Sequence, residues 1–252
     1  MRRYALRDDQ WERIKGILPG REGHVGVTAK DNRLFVEAVL YRYRAGIPWR
    51  DLPERFGDPI KIHTRFSRWG QERHLEEDFR DFGSGCRQRI RHDRQHDRAR
   101  SPTQRRSPKK DGETQAIGRS KGGLSTKIHL MVDALGNPLA FFLTPGQAHD
   151  LEGADALLPQ MKADTVLADK AFDADGRVIE PLLAAGKTPV IPSKSNRKIP
   201  RDFDKELYKA RHLIENFICK LKQFRAIATR YDKTARNFLA GIHLAASAIL
   251  LN

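Results

Sequence analysis

The chain has 252 residues, enough for one large domain or two smaller ones, and carries 47 Lys and Arg against 32 Asp and Glu, a formal charge of +15. Such a basic balance argues against an enzyme of small metabolites and points to nucleic acid, because phosphate neutralisation by Lys and Arg supplies most sequence-independent affinity. A basic membrane-surface protein is the rival, but MRRYALRDDQWERIK has no apolar signal core and FLAGIHLAASAILLN is too short to span a bilayer, so a cytoplasmic, DNA-facing protein is expected. Cys86 and Cys219 form neither a metal-type spacing nor a disulfide framework.

Residues 8–18, DDQWERIKGIL, place Trp11, Ile14 and Leu18 on one helical face, with acidic residues in the first turn. A turn with Pro19, Gly20, Gly23 and Gly26 follows. Thr28 then reads as an N-cap with Asp31 three residues on. The helix it opens puts Leu34, Phe35, Ala38, Val39 and Tyr43 on one side and stops at Gly46 before Pro48. A third segment, IKIHTRFSRWG, aligns Ile62, Phe66 and Trp69, while Lys61, Arg65 and Arg68 face elsewhere. Three short helices with a basic outer face on the last suit a helix-turn-helix-like module over residues 1–70, with Arg65 and Arg68 as DNA contacts. A solvated helix in a small bundle fits the same spacing equally well.

Residues 85–106, GCRQRIRHDRQHDRARSPTQRR, hold eight Arg, and only Cys86, Ile90 and Ala99 are apolar. Such a stretch buries too little surface to offset the entropy of ordering it. Pattern then returns. TKIHLMVD alternates, with Ile128, Leu130 and Val132 on one face; ALGNP is a turn before LAFFL, and the whole is a β-hairpin. Val166 to Ala168 form a short buried strand whose carboxyl end delivers Asp169. A helix from Asp175 to Ala185, the strand TPVIP and the basic loop SKSNRKIPRD follow. A long helix from about Asp204 to Phe224 buries Leu207, Ile214, Phe217, Leu221 and Phe224, and an apolar helix over 234–251 closes the core. Antiparallel strands combined with β-α-β order predict a mixed α/β second domain.

Two acids stand out: Asp169 at a strand end, where open α/β sheets hold ligands, and Glu215 inside YKARHLIENFICKLK, with Arg211, Lys220 and Lys222 around it. Phosphodiester chemistry uses carboxylates to hold two Mg²⁺ ions about 3.5–4 Å apart. Mg²⁺ keeps several of its waters, so two or three carboxylates suffice. Taken singly, Asp169 could be a strand-end cap and Glu215 half of a surface ion pair.

Tyr208, Arg211, Glu215 and Lys222 stand at intervals of two, three and six intervening residues. This resembles the Y-(2)-R-(3)-E-(6)-K signature of bacterial insertion-sequence transposases of the DDE type. Similar stretches run along most of the chain: YALRDDQWERIK, RYRAGIPWRDLPERFG, AIGRSKGGLSTKIH, LADKAFDADG, VIPSKSNRK and YKARHLIENFICKLKQFRAIATRYDK. The resemblance implies a ribonuclease H-like catalytic domain behind an N-terminal domain that recognises the transposon ends. It implies strand cleavage and transfer with Mg²⁺, or Mn²⁺ in its place, on terminal-repeat and target DNA in the bacterial cytoplasm, by a homo-oligomer assembled in the DNA complex. Asp169 matches the family's second catalytic Asp and Glu215 its catalytic Glu, both as metal ligands. Tyr208, Arg211 and Lys222 match positions that contact DNA. His149 and Asp150 in PGQAHD, the loop 194–201 and RYDK at 230–233 are further polar stretches, the last two as phosphate contacts.

The resemblance also implies a first catalytic Asp on the first strand of the sheet, in an apolar stretch close to MIDST. Where that strand should lie stands the Arg-rich stretch, which lacks the apolar run of a buried central strand. The genetic code offers a reason. His92 to His96 can be written CAT-GAT-CGA-CAG-CAC; one base later, with the G of Asp97, this reads ATG-ATC-GAC-AGC-ACG, or Met-Ile-Asp-Ser-Thr. The same offset applied from Gln71 onward gives helix-like and then polar strings leading into that strand. Arg without Lys between Lys61 and Lys109 fits a shifted GC-rich frame better than a DNA-tracking linker. The expected organisation is therefore an end-recognition domain over 1–70, an out-of-frame, disordered segment over 71–108, and a catalytic domain over 109–252 whose sheet lacks its first strand. Two functions follow: a transposase, with Asp93 as a stand-in for the lost Asp, or a catalytically dead relic that only binds DNA.

Overall fold

Local capping chemistry sets the first long helix. The Asp31 carboxylate accepts from the Leu34 N–H at 2.8 Å, and Gly46 ends the helix in the left-handed conformation at φ 68°. The cap is thus Asp31 itself; Thr28, expected in that role, lies three residues upstream. The computed structural model describes residues 5–21, 23, 28–71, 87–96 and 115–252. They form two compact units. One holds the N-terminal helices together with residues 221–252; the other holds residues 116–220 and the strand 87–96.

In the first unit, α1 (Asp8–Ile14), α2 (Asn32–Ala45) and α3 (Pro59–Gln71) carry the expected apolar faces, with Ile14, Leu18, Val39, Tyr43, Ile62, Phe66 and Trp69 buried. Residues 221–252 supply the rest of this core: α8 (Arg225–Thr229) packs on α2, and α9 (Ala235–Leu250) packs on α2 and α3. Gly241 is required here, since a Cβ would stand 2.0 Å from the Tyr43 ring. A buried charge pair ties the two segments of sequence. Arg42 Nη1 donates to Asp232 Oδ2 at 2.9 Å, and the Tyr43 hydroxyl donates to the same oxygen at 2.8 Å. The expected 1–70 module is therefore only part of a core that residues 221–252 complete.

The second unit is a six-stranded mixed sheet. Its main path runs β4 (Pro138–Pro145), β3 (Gly123–Val132), β1 (Arg87–His96), β5 (Thr165–Ala168), β6 (Thr188–Val190), with the short β2 (Gly118–Ser120) paired to the start of β3. β1 is antiparallel to β3, with Asp93 opposite Ile128, and parallel to β5, with Ile90 opposite Ala168. A first strand was expected to be absent, and the structure places one there. Ladders are closed by backbone N–H and C=O groups, which Arg, Gln and His carry as well as Val does. Residues 87–96 contain neither Pro nor Gly to interrupt pairing. Residues 72–86 and 97–108, the remainder of the expected disordered segment, lie outside the described residues, as do residues 109–114.

One sheet face is covered by α4 (Leu151–Leu157) and α5 (Glu180–Ala184), over a core of Met131, Leu139, Leu157, Val166, Phe172 and Leu182. The expected helix over 175–185 is regular only in α5; residues 175–179 form a wider turn. The long helix expected over 204–224 is two helices, α6 (Lys205–Lys209) and α7 (His212–Lys222). Between them the amides of Ala210, Arg211, Leu213 and Ile214 bond to carbonyls three residues back, a tighter winding that breaks the helix at Arg211.

Candidate active site

Strand β5 ends at Ala168, and the next residue, Asp169, opens a single turn over 170–172 closed by the Phe172 N–H to the Asp169 carbonyl at 2.9 Å. The turn carries the Asp169 carboxylate out of the sheet at its carboxyl end. The helix break then brings the signature residues to it. Arg211 Nη1 stands 2.9 Å from Asp169 Oδ1, and Arg211 Nη2 stands 2.7 Å from Glu215 Oε1, one helical turn on. The Tyr208 hydroxyl reaches Asp169 Oδ1 at 3.5 Å, and its ring lies 5.6 Å from the Arg211 guanidinium carbon. Burial lifts the Tyr208 hydroxyl above its ordinary pKa; the Arg211 charge opposes that and Asp169 adds to it, so the phenol stays protonated at neutral pH.

Four of the predicted residues, Asp169, Tyr208, Arg211 and Glu215, thus form one partly open cluster. Asp169 and Arg211 are each 25% exposed and Glu215 39%, so the carboxylates are accessible to solvent and ions. Lys222 is exposed at the end of α7 and belongs to the other unit. Among the described residues no group of three His, Cys, Asp or Glu converges as a ready metal site. The oxygens of Asp169 and Glu215 are nevertheless hard donors drawn within the span of one guanidinium, which fits a divalent cation with retained waters.

Two basic groups read from sequence as DNA contacts are differently engaged. The Arg65 guanidinium lies 4.1 Å from the Phe35 ring centroid and 5.2 Å from that of Trp69 and also bonds to Asn32, whereas Arg68 is exposed. In the loop 194–201, Arg197 pairs with Asp173 at 2.9 Å and Asp175 at 2.6 Å, and Arg201 pairs with the same two acids. The Lys194 N–H donates to Asp173 at 2.8 Å. This hub ties the loop to the segment that follows Asp169. Sequence gave no sign of it beyond the acidic pair in DKAFDAD. Asp150, in the polar PGQAHD turn, pairs with the buried Lys127 at 2.5 Å.

Burial pushes the Asp173 carboxyl up, but Arg197, the Lys194 amide and Arg201 outweigh it and hold it below the ordinary carboxylate range. A lowered folded pKa means stability that is fully present above about pH 4, the ordinary Asp value, and lost as pH falls through the folded value. Asp173→Asn is therefore expected to lower the urea midpoint at pH 7 and to change it less at pH 3. Equal losses at both pH values would show that packing, not charge, makes the hub.

Comparisons with known proteins identify the family. Residues 84–251, more than half of the chain, match the family described as "Transposase DDE domain". Residues 6–78 match one described as "Putative transposase of IS4/5 family". Over 132 residues the chain is 41% identical to the "Putative transposase for insertion sequence element IS6501" of Brucella ovis, covering 51% of this chain and 99% of that protein. Over 65 residues it is 49% identical to the uncharacterized protein y4sN of Sinorhizobium fredii, covering 26% of this chain and 52% of that protein. No solved structure matches. No helix among the described residues is long and apolar enough to cross a membrane.

Proposed function

This chain belongs to the DDE-domain transposases of insertion sequences, and from that premise we propose that it binds the terminal repeats of its element and carries a metal-dependent strand-transfer site built on Asp169 and Glu215. The observation that carries the reading is Arg211, whose single guanidinium spans both carboxylates at 2.9 and 2.7 Å. The strand path β4-β3-β1-β5-β6, with β1 antiparallel to β3 and parallel to β5, supports a ribonuclease H-like sheet. In such a sheet the first carboxylate belongs on β1. Within residues 87–96 only Asp93 is acidic.

Asp169 and Glu215 would hold Mg²⁺, with Mn²⁺ as a substitute. A bound ion would supply charge stabilisation at the attacked phosphate and an activated attacking oxygen. The chain's own residues do the rest. The turn at 170–172 fixes Asp169, and Tyr208 donates to it without adding charge. The helical spacing of Arg211 and Glu215 keeps a cation one turn from a carboxylate, and Lys222 offers a further cation for the DNA backbone. A second reading, supported by an Arg-rich stretch standing where the strand of the first catalytic Asp belongs, is a catalytically dead relic that only binds DNA.

DNA binding tests both readings. The full chain is expected to prefer duplex carrying the element's inverted repeats over random duplex, as a dimer or larger assembly, with affinity falling steeply as salt rises. Arg68→Ala is expected to weaken binding to all sequences and flatten the salt slope by about one. Arg65→Ala, which removes a ring contact, is expected to lower the melting temperature rather than the slope. Equal affinity for repeat and random DNA would leave only general basicity.

A further inference from the structure

We propose that Arg211 is a positioning residue that stands in for the metal, holding Asp169 and Glu215 together until a divalent cation and DNA exchange places with it. The inference rests on the proposed reading of those two carboxylates as metal ligands.

Three observations carry it. The guanidinium uses one nitrogen on each carboxylate, at 2.9 and 2.7 Å, so the acids that a metal would join are joined by a cation already. A guanidinium cannot lose its proton at any relevant pH, so this cation is permanent. Second, Arg211 sits at the break between α6 and α7, where three-residue bonds replace the regular ladder, and a quarter of its side chain is exposed. It is held by its partners rather than by a buried pocket. Third, the Tyr208 ring, 5.6 Å away, offers a surface over which the guanidinium can move without leaving the site.

A divalent ion between the same oxygens would place like charges side by side, so metal entry must loosen the hold of the arginine. Released, the guanidinium is a bidentate partner for a phosphate, which DNA supplies. Metal loading and DNA binding then favour one another, and by linkage each strengthens the other by the same factor. With neither present, the arginine keeps the two acids in place and offsets one of their two negative charges.

The test uses the full chain and Mn²⁺, with free Mn²⁺ measured by electron paramagnetic resonance, with and without repeat duplex. Without DNA, Arg211→Gln is expected to bind Mn²⁺ about tenfold more tightly than the unaltered chain, within the range usual for coupled sites. Duplex is expected to tighten Mn²⁺ binding to the unaltered chain by a similar factor and to leave Arg211→Gln unchanged. Arg211→Lys, a point charge unable to bridge both acids, is expected to fall between them and guards against loss of fold in the first variant. Weaker or equal Mn²⁺ binding by both variants would overturn the exchange. Mn²⁺ binding that persists when Asp169→Asn and Glu215→Gln are combined would instead overturn the metal-site reading on which it rests.

Discussion

Reading residues 71–108 in the alternative frame, by a one-base edit near codon 71 and a compensating edit near codon 108, is expected to raise Mg²⁺-dependent cleavage of terminal-repeat DNA by about 10³-fold or more, the scale on which catalytic groups that act as a unit lose function together. The unedited chain is expected to cut poorly. Its β1 closes the ladder between β3 and β5, but backbone pairing does not supply a metal ligand in the right place. A chain without one of the three carboxylates that the family resemblance implies would lack a ligand and part of the geometry that positions the ions. In the restored frame the strand would read Met-Ile-Asp-Ser-Thr, apolar up to its acid. Gel assays on labelled repeat ends measure this directly, and Glu215→Gln in the edited chain should return cleavage to background. Strong cleavage by the unedited chain that Asp93→Ala abolishes would show instead that β1 provides its own carboxylate.

The second large effect is on stability. Asp232→Ala is expected to cost about 3–5 kcal/mol, because it leaves the Arg42 charge buried without its counter-ion. Arg42 is 1% exposed, and its guanidinium lies 4.7 Å from the Trp49 ring centroid and 4.8 Å from that of Tyr43, so water cannot reach it without opening the core. The Tyr43 hydroxyl loses an acceptor too and keeps only the Asn237 carbonyl at 3.2 Å. Urea unfolding at neutral pH measures the loss. Replacing both partners, Arg42→Met with Asp232→Leu, should cost less than Asp232→Ala alone, since no charge is stranded. A double variant as unstable as the single one would mean that the aromatic stack on Arg42, not the ion pair, holds this region.

Much of this was legible in the sequence where the signal is local. The apolar run before Asp169 and the alternation of Ile128, Leu130 and Val132 both mark strands, although β3 is buried on both faces, Lys127 and His129 included. The Tyr208-Arg211-Glu215 spacing puts each side chain about one turn from the next, and Asp169 is the partner that Tyr208 and Arg211 find. What could not be read is pairing at a distance. Nothing in SKSNRKIPRD says that Arg197 and Arg201 are paired with acids more than twenty residues earlier, so they read as phosphate contacts. The helix break at Arg211 was hidden because the apolar pattern continues across it. Composition also misjudged residues 87–96, because it weighs side chains while a ladder is built from backbone.

The sharing of one core by residues 8–71 and 221–252 bears on how the protein is made. Arg42 meets Asp232 at a sequence separation of 190, which makes closure slow and late. During synthesis the N-terminal helices emerge with their apolar faces uncovered and stay so until α8 and α9 leave the ribosome. A chain released before α8 and α9 are made therefore cannot finish folding.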